Sequence, residues 1–478
     1  MRSVPAQDLF LLVAELGLSD CTDLVALASP EQFQSFIDLD SWDGDRFIHS
    51  SLVGWLEALP AGGCKDIPEV LGGLDPELQG LLMSQLIHIQ DIDPDVGPPD
   101  PIGHFVMDTP DWTHRVSCVA PEAEAVVRLV LGVHMARGPE QVSRFLERLR
   151  HELPAQMEES SLNFRGGRME DLGFPPADEA WGVEVPYPSV EHARRQGSLP
   201  TLLTVETDLP RYILTRHMGE LLRPALEAIE HEERSRVAQD LVYLVNAVMV
   251  GSRVALGNLE AVQDATRRVH AHISLATRWL GGSSVEEAAD ILRRTPARVL
   301  YRTCVTLLER LAHRARSLEP LVGRVGAAAQ PILQALSARP PRREDGGWFS
   351  DPAELVPVEA LLDRLEWAAE WLAEAPNTVA ALDLFGTRLV RRGLGLEASW
   401  APIRIGDFRR FLAGAIRDEA LDEATRLAAE LEAESEAGRA QVRLWCAVLS
   451  DEWGSLSPDD VDPRYLAGIQ VDTGAEDA

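Results

Sequence analysis

Four aspartates stand close together in the segment DLDSWDGD, at Asp38, Asp40, Asp43 and Asp45. Hard cations such as Ca²⁺ and Mg²⁺ bind where several carboxylate oxygens converge. The spacing differs from that of an EF-hand loop, and no glutamate closes the segment as a bidentate ligand. Helix capping and solvation of a polar loop explain the same residues. The segment is therefore a candidate cation site with a structural alternative.

A second candidate is the segment RGGRMEDLGFPPADEA, which begins with Arg165, Gly166, Gly167 and Arg168. Neighbouring glycines can present backbone N–H groups to an anion, and the flanking guanidinium groups can pair with it. The glycines and prolines predict an interruption between helices, and loops of this kind often carry function. A structured turn anchored by Phe174 is the alternative.

Arginine is concentrated between residues 253 and 324, where 12 arginines accompany 7 acidic residues. Arg298 and Arg302 lie one helical turn apart, opposite an apolar stripe that runs from Leu300 to Leu318. Such a pair can bind an acidic partner, a phosphate or a nucleic-acid backbone. Pairing with acidic residues of the same chain is the alternative.

Residue types argue against several enzyme classes. Lys65 is the only lysine, and its context, AGGCKDIP, matches neither a phosphate-binding loop nor a protein kinase. The chain has no Gly-x-Ser-x-Gly elbow and no Cys-x-x-Cys pair. Several histidines crowd the N-terminal third, where they could cluster with aspartates, namely His49, His88, His104, His114 and His134. We predict no catalytic residue and no cofactor.

The elements that must position these residues are mostly helices. Apolar residues recur with helical spacing through most of the chain, and Pro30 and Pro76 each stand at the first position of a capped helix start. The apolar pattern after Pro76 predicts a helix that continues through Ile89. Short strands are predicted only near residues 104–119. The predicted fold class is all-α, built of stacked helical hairpins.

Composition and charge predict three helical domains: an acidic one over residues 1–103, a central one over 104–340 with an irregular insert at 165–208, and an acidic one over 341–478. Pro30, Pro76 and Pro121 are 46 and 45 residues apart. That period is typical of two-helix repeats and hints at a helical repeat protein.

A net charge of −31 at pH 7 limits the partners of this chain. Acidic surfaces repel nucleic acids and anionic lipids. The longest apolar run, Leu241–Val250, is too short for a membrane helix. The cysteines are odd in number and widely spaced, which argues against a disulfide framework. We expect a soluble cytoplasmic protein with no nucleic-acid partner and no membrane span.

Three segments carry a resemblance: FIDLDSWDGDRF (36–47), RGGRMEDLGFPPADEA (165–180) and HISLATRWLGGSSVEEAADILRRTPARVLYRTCVTLL (272–308). The chain resembles an uncharacterised bacterial family of mostly helical cytoplasmic proteins, a domain of unknown function. The resemblance implies no activity, cofactor or catalytic residue. Members of that family begin with a further helical stretch. The resemblance therefore also implies that this chain starts inside the family's pattern. The opening segments VPAQDLFLLVAELG (4–17) and LASPEQF (27–33) are similar to the helical cytosolic domain of magnesium transporters. This similarity implies acidic surfaces that bind cations.

These observations favour a non-enzymatic interaction or scaffold protein that binds a partner protein through charged helical surfaces. One alternative is a regulatory protein that responds to a cation or a small anion. Another is an enzyme whose pocket is assembled from distant helices and is invisible in a single sequence.

Overall fold

The structure is a computed structural model that describes residues 3–196, 218–373, 375–397, 399, 401–413, 435–454, 456–462 and 465–472. The backbone divides into two compact units, Met1–Val305 and Thr306–Ala478, and the division falls inside the helix Ala297–Leu318. The three domains expected from composition stay a prediction.

The chain is mostly α-helical with minor strands, which confirms the predicted class. The helices of the first unit are Ala6–Leu16, Thr22–Ala26, Pro30–Asp40, His49–Ala61, Ile67–Gly72, Pro76–Leu86, Glu124–Ala136, Pro139–His151, Pro154–Asp171, Ala177–Gly182, Val190–Gln196, Leu222–Ala228, His231–Gly251, Leu259–Trp279 and Val285–Arg294, followed by the start of Ala297–Leu318.

Local capping explains where the predicted helices begin. Ser29 Oγ accepts a hydrogen bond from the Gln32 backbone N–H at 3.2 Å, and Gln32 Oε1 accepts one from the Ser29 N–H at 2.9 Å. This reciprocal pair satisfies two N–H groups that a helix start leaves without partners. Asp75 caps the next predicted start with a single bond, since its Oδ1 accepts from the Glu77 N–H at 2.9 Å.

A three-stranded antiparallel sheet interrupts the helices of the first unit. Its strands are β3 (Ile87–Asp91), β4 (His104–Asp108) and β5 (His114–Cys118), in the order β3-β5-β4. Two of them confirm the strands predicted near residues 104–119. The shorter β1 (Trp42–Asp43) and β2 (Arg46–Phe47) form a separate antiparallel pair.

The third strand corrects a prediction. The helix that starts at Pro76 ends at Leu86, and Ile87–Asp91 forms β3 instead of continuing it through Ile89. Ile87 and Ile89 alternate with His88 and Gln90, which is the period of a strand, and β-branched residues favour strands. Pairing of β3 with β5 therefore outweighs the helical spacing of the leucines before it.

The predicted irregular insert at residues 165–208 is also wrong in its first part. Arg165 to Asp171 belong to the helix Pro154–Asp171, and the interruption comes at Gly173, which has a left-handed φ of 83°. Two short helices follow, Ala177–Gly182 and Val190–Gln196. Residues 197–208 of the insert lie outside the described residues.

The second unit contains the remainder of Ala297–Leu318 and the helices Val322–Val325, Gln330–Ser337, Leu355–Trp371, Ala381–Gly393, Ile405–Leu412 and Glu436–Gly454, with a parallel strand pair of β6 (Ile403–Arg404) and β7 (Val471–Asp472). Its core is aromatic. The Trp445 ring lies 5.3 Å from that of Trp371 and 5.4 Å from that of Phe385.

No helix among the described residues is both long and apolar enough to span a membrane.

Candidate functional site

The predicted cation site and the predicted anion site meet in the structure. Arg168 Nε donates to Asp38 Oδ2 at 2.6 Å, and Arg168 Nη2 donates to Asp38 Oδ1 at 2.9 Å. The same guanidinium reaches Asp75 Oδ2 at 2.8 Å through Nη1. Arg165 Nε donates to the Asp38 carbonyl oxygen at 2.7 Å. Two segments separated by 130 residues thus neutralise each other.

This arrangement acts as a buried clamp between helices. The Asp38 side chain is 1% exposed, and burial raises the pKa of its carboxyl against the opposing effects of Arg168 and Arg165. Gln34 Nε2 also donates to Asp38 Oδ1, at 3.1 Å. In such a bidentate pair, the carboxylate oxygens and the guanidinium N–H groups bond to each other instead of to a cation or an anion. It joins the helix Pro30–Asp40 to the helix Pro154–Asp171.

The other three aspartates of the predicted cation site do not converge with Asp38. Asp40 Oδ2 accepts a hydrogen bond from Trp55 Nε1 at 2.9 Å and another from the Ser51 hydroxyl. Asp43 and Asp45 are exposed at the turn between β1 and β2. Within the described part of the chain, no group of three or more His, Cys, Asp or Glu side chains could hold a metal ion.

Gly166 and Gly167 do not form the predicted loop. Both are exposed positions inside the helix Pro154–Asp171, and a Cβ added at either would meet no atom within 4 Å. Backbone N–H groups inside a helix point along its axis to carbonyl groups of the preceding turn. The predicted anion-binding amides are therefore engaged in the helix itself.

The two candidate arginines near residue 300 differ in their contacts. Arg302 Nε donates to the Val185 carbonyl oxygen at 2.9 Å, and its guanidinium lies 4.2 Å from the centre of the Tyr187 ring. Arg298 is exposed and lies close enough to Asp240 to act on it electrostatically. Both arginines thus have neighbours within the chain, Asp240 among those of Arg298, while the alternative of acidic pairing stays a prediction.

A different part of the first unit exposes both apolar and acidic side chains. We call residues 87–119, which contain the sheet β3-β5-β4 and its loops, the sheet platform. Its large exposed apolar residues are Val96, Ile102, Phe105, Trp112 and Val119. It contains six aspartates and a single arginine, Arg115. Arg115 is already paired with Asp108, at 2.7 Å from Nε to Oδ1.

Trp112 is the most unusual residue of the platform. It lies in the turn between β4 and β5, is 61% exposed and has a left-handed φ of 58°. Its N–H donates to the Thr109 carbonyl oxygen at 2.9 Å, while Thr113 Oγ1 donates to Asp111 Oδ1 at 2.8 Å. Left-handed backbone costs a non-glycine residue about 1 kcal/mol. The turn therefore holds a large aromatic side chain in solvent at the expense of local strain.

An open cleft of about 500 Å³ adjoins this turn. It lies between the turn and the helix Pro139–His151, and its lining residues are Asp111, Thr113, His114, Ser143, Arg144, Glu147, Arg148, His151 and Glu152. The lining therefore carries charges of both signs.

His114 is the side chain that joins the two walls of this cleft. It is almost fully buried, its Nε2 lies 2.9 Å from Glu147 Oε2, and its Nδ1 lies 3.3 Å from Asp91 Oδ1. Burial disfavours the ionised form of Asp111, but the neighbouring hydroxyl groups and the Thr113 N–H, which donates to Asp111 Oδ1 at 3.2 Å, outweigh it and hold its pKa well below the usual range. The cleft thus keeps an ionised carboxylate beside Trp112.

Sequence reasoning missed Trp112 and the helix wall of the cleft. The signal for Trp112 is a tryptophan inside the polar turn PDWT between two alternating strands, where large apolar residues are unusual. The pairing of Glu147 with His114 had no local signal, because the residues are 33 positions apart. Of the crowded histidines, the structure brings His114 to Asp91, which is the kind of cluster that the sequence left open.

The fold and these surfaces define a multihelical protein with an acidic three-stranded sheet in its first unit. The chain belongs to a family of unknown function, DUF6178, whose model matches residues 1–472. Comparison with curated proteins and with solved structures gave no match.

Proposed function

We propose that this protein is a non-enzymatic interaction protein that binds a basic, partly apolar segment of a partner protein on the sheet platform. The observation that carries the proposal is Trp112, an exposed aromatic held in a strained turn among carboxylates. Tryptophan dominates the binding energy of many protein interfaces, since it buries a large area with few rotatable bonds.

The turn is already arranged for binding. Hydrogen bonds from Thr113 and His114 fix the turn around Thr109, with the His114 N–H donating to Thr109 Oγ1 at 2.9 Å. A rigid aromatic loses little conformational entropy when a partner covers it. The strain at Trp112 is present before binding, so association does not have to create it.

Charge selects the kind of partner. The platform has a net charge of −5, from six aspartates and Arg115. Opposite charge on a partner raises the association rate and excludes acidic competitors. A segment with arginine or lysine beside apolar side chains complements both features of this surface.

This proposal moves the interaction away from the arginines considered in the sequence. The contacts of Arg302 with Val185 and Tyr187 make it less accessible to a partner. The mutual pairing of Asp38 and Arg168 likewise gives less support to a cation- or anion-responsive regulator. A cytoplasmic location, expected from the cysteine pattern, is part of the same proposal.

The test is photo-cross-linking in the cells that make this protein. A benzoylphenylalanine is placed at position 112 and, as a matched control, at position 181, because Trp181 is 49% exposed elsewhere in the same unit. We expect a discrete protein adduct from position 112 and none of that mass from position 181. Mass spectrometry should locate the adduct on a basic segment.

The adduct is then checked with purified components. Trp112→Ala should weaken binding of the identified partner by about tenfold or more, and Trp181→Ala should leave it unchanged. Identical adducts from both positions, no adduct from position 112, or attachment to an acidic segment would refute the proposal.

A further inference from the structure

The second unit contains a cavity of about 650 Å³ that the proposed interaction does not use. It lies between the helices Gln330–Ser337 and Leu355–Trp371 and the segment that connects them. Its apolar lining consists of Ile332, Leu336, Phe349, Pro357, Val358 and Leu361. Sites for small organic ligands have about 300–1,000 Å³ and a mainly apolar lining.

The connecting segment is held firmly in place at the rim of this cavity. Arg343 donates from Nη1 to Glu354 Oε1 and from Nη2 to Asp345 Oδ2, both at 2.7 Å. The Arg342 guanidinium lies 3.8 Å from the centre of the Trp348 ring. Trp348 and Phe349 are buried and anchor the segment. The rim is therefore preorganised, and its two cationic groups are engaged with neighbours.

Charge indicates which ligand the cavity favours. The rim has three carboxylates, from Glu344, Asp345 and Glu354, against two guanidinium groups, and two of the carboxylates, Asp345 and Glu354, already pair with Arg343. Glu344 is exposed and makes no hydrogen bond or ion pair within the described part of the chain. A negative field around an apolar cavity favours a cation over an anion of the same shape.

We infer that this cavity binds an apolar organic cation, such as a hydrophobic amine or a quaternary phosphonium or ammonium compound. The apolar lining supplies burial of the organic groups, and Glu344, the rim carboxylate that Arg343 does not neutralise, supplies charge complementarity. Neither Trp112 nor the sheet platform enters the argument, so this inference stands or fails separately from the proposed function.

The experiment is calorimetric titration of the full chain with tetraphenylphosphonium and, separately, with tetraphenylborate. The two ions have nearly the same size and shape and differ in the sign of their charge. We expect the cation to bind at least about tenfold more tightly, with one site per chain. Equal affinities, or tighter binding of the anion, would overturn the inference.

Location is tested by two tryptophan substitutions on one helix. Val358→Trp fills the cavity, whereas Val356→Trp changes a residue of the same helix that is 62% exposed and does not line the cavity. We expect Val358→Trp to weaken cation binding by about tenfold or more and Val356→Trp to leave it unchanged. An equal effect of both substitutions, or of neither, would place the cation elsewhere and contradict the assignment.

A third variant keeps the test valid if Val358→Trp fails to fold. Glu344→Gln removes one rim charge at an exposed position and should reduce the preference for the cation over the anion by about threefold. An unchanged preference would show that the rim does not select the ligand by charge.

Discussion

At the scale of single residues, the buried pair of Asp38 and Arg168 has a large energetic consequence. Removal of one member of a buried ion pair leaves the other charge without compensation, at a cost of about 3–5 kcal/mol. Arg168 is 29% exposed and Asp38 only 1%, so loss of the arginine is the more harmful change. The pair therefore stabilises the fold, although its two side chains bond to each other and not to an external ligand.

We expect Arg168→Met to lower the free energy of unfolding by about 3 kcal/mol, measured by urea denaturation at pH 7. The control is Arg144→Met, whose ion pair with Glu140 is highly exposed and should contribute less than about 1 kcal/mol. Adding Asp38→Asn to Arg168→Met should recover part of the loss. Equal effects of Arg168→Met and Arg144→Met would contradict this account of the clamp.

The buried side chain of His134 leads us to predict that the stability of the fold depends on pH. Burial, with the nearby Arg137 and Arg148, lowers the pKa of His134 to about 4. The unfolded chain binds a proton at the ordinary pKa of about 6.5, so the unfolded state gains protons first as the pH falls. Stability should therefore decrease from pH 6.5 towards pH 4, and His134 should contribute about 2 kcal/mol of the loss at pH 5.

His134→Gln tests this dependence, since its amide can still donate to Gln79 Oε1, which lies 3.1 Å from His134 Nε2. We expect the variant to lose less stability than the native chain between pH 7 and pH 5 in urea denaturation. His151→Gln, at a mostly exposed position, serves as the control. If both variants show the native pH dependence, His134 is not the group responsible.

At the scale of elements, the helix Pro154–Asp171 shows how packing overrides local preference. Glycine destabilises a helix interior by about 0.5–1 kcal/mol relative to alanine. Gly166 and Gly167 nevertheless lie inside this helix, flanked by Arg165 and Arg168 that both bond to Asp38. The long-range contacts on either side hold two weak positions in helical form.

Replacement of both glycines should consequently stabilise the protein. Gly166→Ala with Gly167→Ala should raise the free energy of unfolding by about 1–2 kcal/mol, because neither new methyl group meets another atom. Gly173→Ala should lower it by about 1 kcal/mol, since the φ of 83° there suits glycine. Urea denaturation of the two variants gives the comparison, and a loss of stability in the double alanine variant would show that these glycines serve another purpose.

Strand β3 was predicted to be part of a helix. It shows that pairing with a distant strand can override a helical sequence pattern. The leucines after Pro76 have helical spacing up to Leu86, and nothing such as glycine or proline marks the end. The helix stops because Ile87–Asp91 pairs with β5, whose residues come 23 or more positions later. An alternating Ile-His-Ile-Gln pattern was the available signal, and it is short enough to fit either structure.

At the scale of the whole molecule, the chain has a net charge of −31 and an isoelectric point near 4.8, and a charge of this size produces a negative field. Such a field accelerates the approach of a basic partner, and salt screens it over about 8 Å at physiological ionic strength. The acidic surface and the exposed tryptophan therefore contribute to binding in different ways.

This separation is measurable with the cross-linked partner once it is purified. We expect affinity to fall as sodium chloride rises from about 0.05 to 0.5 M, mainly through a slower association rate. Trp112→Ala should raise the dissociation rate and leave the salt dependence of binding unchanged. Asp93→Asn with Asp95→Asn should instead reduce the salt dependence. Surface plasmon resonance gives both rates, and salt-independent binding would argue against a basic partner.

Features that depend on near neighbours are predictable from the amino-acid sequence. Helix starts at Pro30 and Pro76, the strands near residues 104–119 and the mostly helical class follow from caps, spacing and composition, which act within a few residues. The packing of distant segments was needed to establish that Asp38 pairs with Arg168, that His114 lies between Asp91 and Glu147, and that Ile87–Asp91 is a strand. Those outcomes depend on which distant segments pack together, and burial then makes partners of charges that look independent along the chain.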